Sequence, residues 1–498
     1  MGTIEINNLS FKYDNMSQNI FNKFDLNIDE KWKLGLIGRN GRGKTTFLRI
    51  LQKKLEYHGN ITTNLKFAYF PQFIKSKNLS TQNVLLQLAN LTVSDLWKIQ
   101  IEMDKLHLND DILNRPFNSL SPGEKTKAKL AVLFCNKRDF QLIDEPTNHL
   151  DNIGRNVVAN YLNKKKGFIV VSHDRHFLNQ VIDHVLSIDR AKIQLFKGNY
   201  DTWQRQFELQ NEHEAQEKRH LQTDIKRLNK TAQKSKKWSL KTEKGKFHKT
   251  DQHENINRGY IGHKAAKLMK RSQSLLKRTT KEVNQKQQLL KNIDKSPNLE
   301  IDYAKSSKRN LLQVEDLVVI RNKHKLNQAL SFTIKLGERI ALDAANGSGK
   351  TTIIKAILGN NDLIANGSVH FAHNIKISYM KQNFTNFHGD LKDYALKHKV
   401  DFSQLLNTLH KLEFDRKIFT FKVEEMCQGQ KRKLALAESL CTKANLYVWD
   451  EPLNYLDVIT RQQIENLLLE INPTMLFVEH DRMFTKKIAT RETRLIQA

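Results

Sequence analysis

At 498 residues with 39% hydrophobic and 27% charged content, the chain has room for two or three domains with real cores. No apolar run approaches the roughly 18 to 20 residues of a membrane-crossing helix. The opening MGTIEINNLSFKYD lacks the order of a secretory signal, and three scattered cysteines (Cys135, Cys427, Cys441) exclude a disulfide framework. The net charge of +29 calls for a polyanionic partner or a solubilising surface, and its distribution decides between them.

In chain order, KLGLIG reads as a strand that opens into the loop GRNGRGKTT, Gly38 to Thr46, and FLRILQKK follows as a helix. FAYFPQ is a strand-like run ending at Gln72, and LSPGE introduces the helix GEKTKAKLAVLF. FQLID and FIVVSHD are short apolar runs leading to Asp144 and His173, as strands covered on both faces do. Strands alternating with helices predict an α/β domain with a mainly parallel sheet over 1–200.

Residues 201–300 differ. Glycine and proline are sparse, and Leu221, Ile225, Leu228 and Ala232 step by four, three and four. Ile261, Ala265, Leu268, Ser272 and Leu275 keep that rhythm. These spacings predict two helices with coiled-coil-like seams. The segment 241–259, with Gly245 and Gly259, breaks the pattern and is expected to be the tip of a helical hairpin.

From 301 to 498 the first domain returns. AANGSGKTT repeats the glycine loop, MCQGQ repeats LSPGE, VWDEPLNYLD repeats LIDEPTNHLD, and FVEHD repeats VVSHD. Lys44 and Lys350, Ser121 and Cys427, and Asp144 and Asp450 each stand 306 residues apart, and His173 and His480 stand 307 apart. Four motifs at offsets of 306 or 307 define a duplicated domain.

Gly38-x4-Gly43-Lys44-Thr45 is a complete phosphate-binding loop. Backbone from Gly38 through Asn40, Gly41 and Gly43 can wrap phosphates, Lys44 reaches the β and γ oxygens, and Thr45, followed by Thr46, holds magnesium. The helix that starts there adds its positive end. The second loop begins with Ala344 instead of glycine but keeps Asn346, Gly347, Ser348, Gly349, Lys350, Thr351 and Thr352. Asp144–Glu145 and Asp450–Glu451 end apolar strands. The first carboxylate of each pair suits magnesium, and the second can orient and polarise a water attacking the γ-phosphate. The expected cofactors are ATP and Mg2+, and the expected reaction is ATP hydrolysis.

Phosphate loop, glutamine after a strand (Gln72, Gln382), signature loop, DE pair and histidine (His173, His480) follow the order of ATP-binding cassette proteins, which both halves resemble. The resemblance implies two ABC-type nucleotide-binding domains of the P-loop NTPase class. They would pair head to tail, each nucleotide lying between the phosphate loop of one and the signature loop of the other. Gln72 and Gln382 would sit near magnesium, His173 and His480 would contact the γ-phosphate, and Tyr13 would stack on adenine, with Arg321 at the counterpart position. Ser121-Pro122-Gly123-Glu124 keeps the signature serine and third-position glycine, whereas Cys427-Gln428-Gly429-Gln430 offers only a thiol, a weak donor. Two unequal sites are expected: Lys350 and Glu451 with Ser121, and Lys44 and Glu145 with Cys427.

Residues 226–281 hold 18 Lys and Arg against 3 Asp and Glu, about half of the whole net charge. Solvated coils mix signs; basic residues with interleaved aromatics suit RNA. The candidate RNA contacts are Trp238, Lys241, Lys244, Lys246, Phe247 and Lys249. Two cassettes joined by a basic helical linker resemble the ABC-F family. LSPGE, LIDEPTNHLD, WDEPLNYLD and RGYIGHKAAKLMKRS look most like its antibiotic-resistance branch, the Lsa and Vga type. That resemblance implies a cytoplasmic, ribosome-associated monomer without a membrane partner, its linker reaching large-subunit rRNA of the E site and peptidyl-transferase region beside the P-site tRNA. Protection would cover lincosamides, pleuromutilins and streptogramin A. The alternative is a housekeeping translation factor of the same family. A chromosome-handling ATPase would need far longer coils, and a transporter subunit leaves the basic hairpin without a role.

Overall fold

The computed structural model describes residues 2–14, 19–74, 78–135, 139–148, 150–189, 192–244, eight helical positions between 267 and 283, and 299–321, 324–343, 348–382, 388–412, 414 and 416–496. The chain divides into two units, Met1–Trp203 with Asn298–Ala498, and Gln204–Pro297.

Strands of the first half are β1 (Thr3–Phe11), β2 (Phe21–Asp29), β3 (Lys33–Gly38), β4 (His58–Thr62), β5 (Lys66–Phe70), β6 (Asp139–Asp144), β7 (Phe168–Val171), β8 (His184–Asp189) and β9 (Lys192–Lys197). They form a six-stranded sheet in the order β5-β6-β7-β3-β8-β9. Its first five strands are parallel and β9 is antiparallel. The second half has β10 (Asn310–Arg321), β11 (His324–Lys325), β12 (Leu330–Lys335), β13 (Arg339–Asp343), β14 (Ile364–Phe371), β15 (Ile377–Met380), β16 (Leu446–Asp450), β17 (Met475–Val478) and β18 (Arg491–Arg494). Its parallel sheet runs β15-β16-β17-β13-β18. The chain is thus two tandem α/β P-loop domains. Each also carries a separate antiparallel sheet, β2-β1-β4 and the set around β10, which the mainly parallel expectation missed. Its signal is the alternation in β1, where Ile4 and Ile6 are buried between exposed neighbours.

All four residues of β7 and all five of β16 are buried, as strands covered on both faces require. The helix Lys44–Leu51 buries Phe47, Leu48, Ile50 and Leu51 against Ile4, Phe21, Leu36 and Leu142. Ile353, Ile354 and Ile357 do the same against Val314, Leu342 and Val448. Each such side chain stabilises the fold by about 1.5–3 kcal/mol. Register then decides where function sits. Phe70 pairs with Ile143 and Asp144 with Val171, while β3 lies beside β7. The carboxyl ends of these strands therefore share one edge, the usual ligand edge of an open α/β sheet. In the second half Met380 pairs with Trp449, and Asp450 with Val478.

The helix Tyr200–Lys244 runs into the unit Gln204–Pro297. Leu221, Asp224, Ile225 and Leu228 are half-buried, while Lys226, Arg227 and Lys230 are exposed, so one apolar seam backs a basic face. Lys246, Phe247 and Lys249, the rest of 245–259, and Tyr260 lie outside the described residues. For Trp238, Lys241 and Lys244 the helical backbone alone is described. Among the described residues no helix is long and apolar enough to cross a membrane.

Candidate functional site

β3 ends at Gly38, and the chain turns through Gly41 (φ 81°) and Gly43 (φ 99°) into the helix Lys44–Leu51. Gly43 caps that helix with no side-chain hydrogen bond, leaving its first N–H groups for an anion. A Cβ at Gly43 would stand 2.5 Å from Ile20 Cγ2, and one at Gly38 would stand 2.6 Å from the Ile188 carbonyl oxygen. Gly43→Ala is therefore expected to cost about 1–3 kcal/mol and to lose nucleotide at this loop, checked by thermal melting with and without ATP. Lys44 Nζ donates to the carbonyls of Gly38 (2.7 Å) and Arg39 (3.1 Å) and to Asn40 Oδ1 (3.3 Å). Burial lowers its pKa, against the pull of Asp457, Glu145 and Asp144. In the second loop Gly349 has φ 86° and Lys350 Nζ stands 3.1 Å from His480 Nε2. Ser348 and Thr352 are buried there, while Asn346 and Gly347 lie outside the described residues.

The two halves place their carboxylates alike. Glu145 (φ 54°) and Glu451 (φ 52°) both adopt the left-handed backbone that side chains rarely take, a strain concentrated at functional positions. His173 Nε2 lies 3.3 Å from Glu145 Oε1, and His480 Nε2 lies 3.4 Å from Glu451 Oε1. Their electrostatics differ. Burial, with Asp144 adding to it, pushes the Glu145 carboxyl up to about 8, and burial holds His173 well below its usual range. At Glu451 burial acts the same way, but hydrogen bonds from His480 and Gln382 outweigh it and bring the carboxyl down to about 2.

A pH dependence follows. Between about 4.5 and 8 the folded chain holds a proton on Glu145 that the unfolded chain has lost, so this group's contribution to stability falls as pH rises through that window. The apparent kcat/KM reports the free enzyme. With Glu451→Gln, leaving the first site, kcat/KM is expected to climb toward pH 8. With Glu145→Gln it is expected to stay flat across the same range.

Oxygens suited to magnesium gather beside each loop. Thr45 Oγ1 donates to Asp144 Oδ2 (3.3 Å), as does the Tyr69 hydroxyl (3.1 Å). Gln72 Nε2 donates to the Lys129 carbonyl (3.2 Å), which leaves its buried Oε1 without a hydrogen-bond partner. In the second half Thr351 Oγ1 donates to Gln382 Oε1 (3.2 Å). Asp450 is fully buried and burial raises its carboxyl. The Thr45 hydroxyl with the Asp144 carboxylate, the orphaned Gln72 oxygen, and the Thr351 hydroxyl with the Gln382 oxygen are hard oxygen donors of the kind Mg2+ takes.

The first phosphate loop is engaged by the second half. Asn40 N–H donates to Asp457 Oδ2 (3.2 Å), and Asn40 Nδ2 donates to the Tyr455 carbonyl (2.8 Å). Asn40, Glu145, His173 and the signature glycine Gly429 line one cavity of about 380 Å3. Gln430 Oε1 accepts from Cys427 N–H (2.9 Å). Lys350, Thr351, Gln382, Glu451 and His480 line a cavity of about 670 Å3 with Arg321 and, from the first half, Leu150 and Arg155. Ser121, Gly123 and Glu124 line a separate cavity of about 770 Å3. Ser121 Oγ accepts from Glu124 N–H (3.2 Å), and Glu124 Oε2 accepts from Ser121 N–H (2.7 Å), a capping box that uses the signature serine's oxygen as an acceptor. Tyr13 OH lies 3.0 Å from Thr46 Oγ1, over the loop helix.

The sequence reading missed Arg155, Tyr455, Asp457 and Arg461. The repeat offset carried the signal: Asp151 and Asp457, and Arg155 and Arg461, stand 306 residues apart like the named motifs.

Residues 21–148 and 327–454 match the family model described as ABC transporter. The chain is 27% identical, over 97% of its length and 85% of the relative's, to the ribosome protection protein VmlR of Bacillus subtilis (strain 168). It is 28% identical to the erythromycin resistance ATP-binding protein MsrA of Staphylococcus epidermidis, covering 98% and 97% of the two chains. To the ATP-binding protein Uup of Buchnera aphidicola subsp. Acyrthosiphon pisum (strain APS) it is 29% identical, covering 99% and 80%. Among solved structures, archaeal aABCE1 in complex with the ribosomal stalk protein aP1 superposes with a TM-score of 0.62 at 19% identity, covering 98% and 87%. RNase-L Inhibitor superposes at 0.59 and 19% identity, covering 93% and 84%. At those identities the likeness is one of fold.

Proposed function

We propose, for a chain that belongs to the ABC transporter family and hydrolyses ATP, that it is a cytoplasmic ABC-F factor that binds the ribosome and protects the peptidyl-transferase centre from antibiotics. The observation that carries this reading is the union of two ATP sites with a segment, 226–281, holding 18 basic residues against 3 acidic ones. Charge so lopsided suits phosphate backbone, and ribosomal RNA is the polyanion in reach of a helical arm. Relatives named for ribosome protection and erythromycin resistance align over nearly the whole chain.

In this reading Lys44 and Lys350 neutralise phosphate charge as the two halves close on nucleotide. Glu145 and Glu451 orient the attacking water and take its proton, and His173 and His480 hold those carboxylates against the γ-phosphate. Thr45, Gln72 and Asp144, and Thr351, Gln382 and Asp450, would hold Mg2+, which supplies charge neutralisation at the β and γ oxygens. ATP binds the closed form better than the open one, and this difference drives the cycle. Closure fits the ribosome, with the linker directed past the E site toward large-subunit rRNA and the P-site tRNA. Trp238, Lys241, Lys244, Lys246, Phe247 and Lys249 are its RNA contacts.

The protected drugs in this proposal are lincosamides, pleuromutilins and streptogramin A, of the Lsa and Vga type. The test is growth of cells with and without the protein against a lincosamide, a pleuromutilin and a macrolide. Raised tolerance to the first two, without the macrolide, supports it; raised tolerance to the macrolide alone moves the drug class toward that of MsrA. No change with any drug favours a housekeeping translation factor. The likeness to Uup, 29% over 99% of the chain, keeps that second reading in view.

A further inference from the structure

Two arginines tie the two histidines, one each, to the opposite half. Arg155 and Arg461 occupy the same place on repeated helices, Asn152–Asn163 and Val458–Ile471, four residues after the capping aspartates Asp151 and Asp457. The caps are formed: Asp151 Oδ1 accepts from Gly154 N–H (2.7 Å) and Asp457 Oδ1 from Thr460 N–H (2.9 Å). Each arginine is aimed by its Nε, which donates to a leucine carbonyl just before the helix, Leu150 (3.1 Å) or Leu456 (3.0 Å). Its Nη1 then meets two acceptors. Arg461 Nη1 donates to Asp481 Oδ2 of its own half (3.2 Å) and to the His173 carbonyl of the other half (2.9 Å). Arg155 Nη1 donates to Asp174 Oδ2 (3.2 Å) and, across the halves, to the His480 carbonyl (3.4 Å). Since Asp174 follows His173 and Asp481 follows His480, these contacts close a ring through both histidines.

We propose that Arg155 and Arg461 are positioning residues acting in trans: each fixes the histidine, and through it the glutamate, of the ATP site in the opposite half. A charged donor on the histidine's own carbonyl sets the backbone that carries the imidazole, and the imidazole stands 3.3 or 3.4 Å from the glutamate. A reacting group misplaced by an ångström loses about 10²-fold in rate, so this contact acts on turnover and not on nucleotide affinity. The two halves of the ring are unequal. Arg461 and Asp481 are nearly buried, at 11% and 6% side-chain exposure, whereas Arg155 and Asp174 are at 22% and 16%. Across the halves Arg461 reaches the His173 carbonyl at 2.9 Å, against 3.4 Å from Arg155 to the His480 carbonyl. Arg461 therefore grips the first site harder than Arg155 grips the second.

The inference rests on the reading that Glu145 with His173, and Glu451 with His480, are the hydrolytic groups. Chains carrying Glu451→Gln report the first site, and chains carrying Glu145→Gln report the second. Adding Arg461→Ala is expected to lower kcat for ATP in the Glu451→Gln chain by about tenfold or more, with KM little changed, and to lower it far less in the Glu145→Gln chain. Arg155→Ala is expected to give the crossed pattern with a smaller loss. Equal losses in both backgrounds, or a loss confined to the site of the arginine's own half, would overturn the proposal. If Arg461→Ala fails to fold, the more exposed Arg155→Ala decides alone. His173→Ala in the Glu451→Gln chain separates the two claims. If it lowers turnover and Arg461→Ala does not, the arginine proposal alone fails. If it lowers nothing, the histidine reading fails beneath it.

Discussion

A chain carrying Glu145→Gln together with Glu451→Gln is expected to lose about 10²- to 10⁴-fold of its ATP turnover while pelleting with ribosomes whenever ATP is present. Glutamine keeps the size and hydrogen-bonding reach of glutamate at backbone positions of φ 54° and 52°, where the fold already holds an unfavourable conformation. The sites should assemble on ATP as before. What is lost is an acceptor for the proton of the attacking water. Closure then has no chemical exit, and the population stays with the form that ATP favours. Sedimentation through a sucrose cushion, with ATP and with ADP, reads the result. A double variant that pellets no better than the unmodified chain would break the link between nucleotide state and ribosome binding.

Replacing residues 241–250 with a short glycine-serine turn is expected to abolish drug protection while ATP turnover without ribosomes persists. Every residue assigned to the ATP sites belongs to the unit Met1–Trp203 with Asn298–Ala498, so the exchange leaves that machinery in place. The parent chain should also show steep salt dependence: an arm that neutralises 6–10 phosphates loses about 10³- to 10⁵-fold in affinity between 50 and 200 mM salt. Drug tolerance, ATPase rate and ribosome pelleting against salt are the three readouts. Unchanged tolerance in the exchanged chain would remove the tip from the mechanism.

The sites were legible in the sequence to the extent that function fixes residue identity within a contiguous motif. Gly43 has to be glycine because a Cβ would run into Ile20, and a loop with that need announces itself. The carboxylate pairs and histidines stand out because strands deliver them to one edge, and the repeat states them twice. Protonation was not legible. Glu145 and Glu451 share a DEP motif, yet burial drives the first carboxyl up, while at the second hydrogen bonds from His480 and Gln382, distant in sequence, outweigh burial and bring it down. The contacts of Asn40 with Tyr455 and Asp457 join residues more than 400 apart, beyond any local pattern. The antiparallel sheets went unread, although β1 alternates, because the phosphate loops and carboxylate pairs lie at the ends of the parallel strands instead.

Arg175 sits buried against Glu465 and Asp481 of the other half, with Arg461 completing the cluster. Its mirror image does not exist: Ala159 stands where Glu465 would be, and Arg482, the counterpart of Arg175, is exposed. Parting the halves would break both Arg175 pairs, while Glu465 would keep Lys487 and Asp481 would keep Arg461 of their own half. This charged contact between the halves is therefore made from one repeat and not from the corresponding residues of the other. Two halves built on one repeated plan thus meet along a seam whose charges are not themselves repeated.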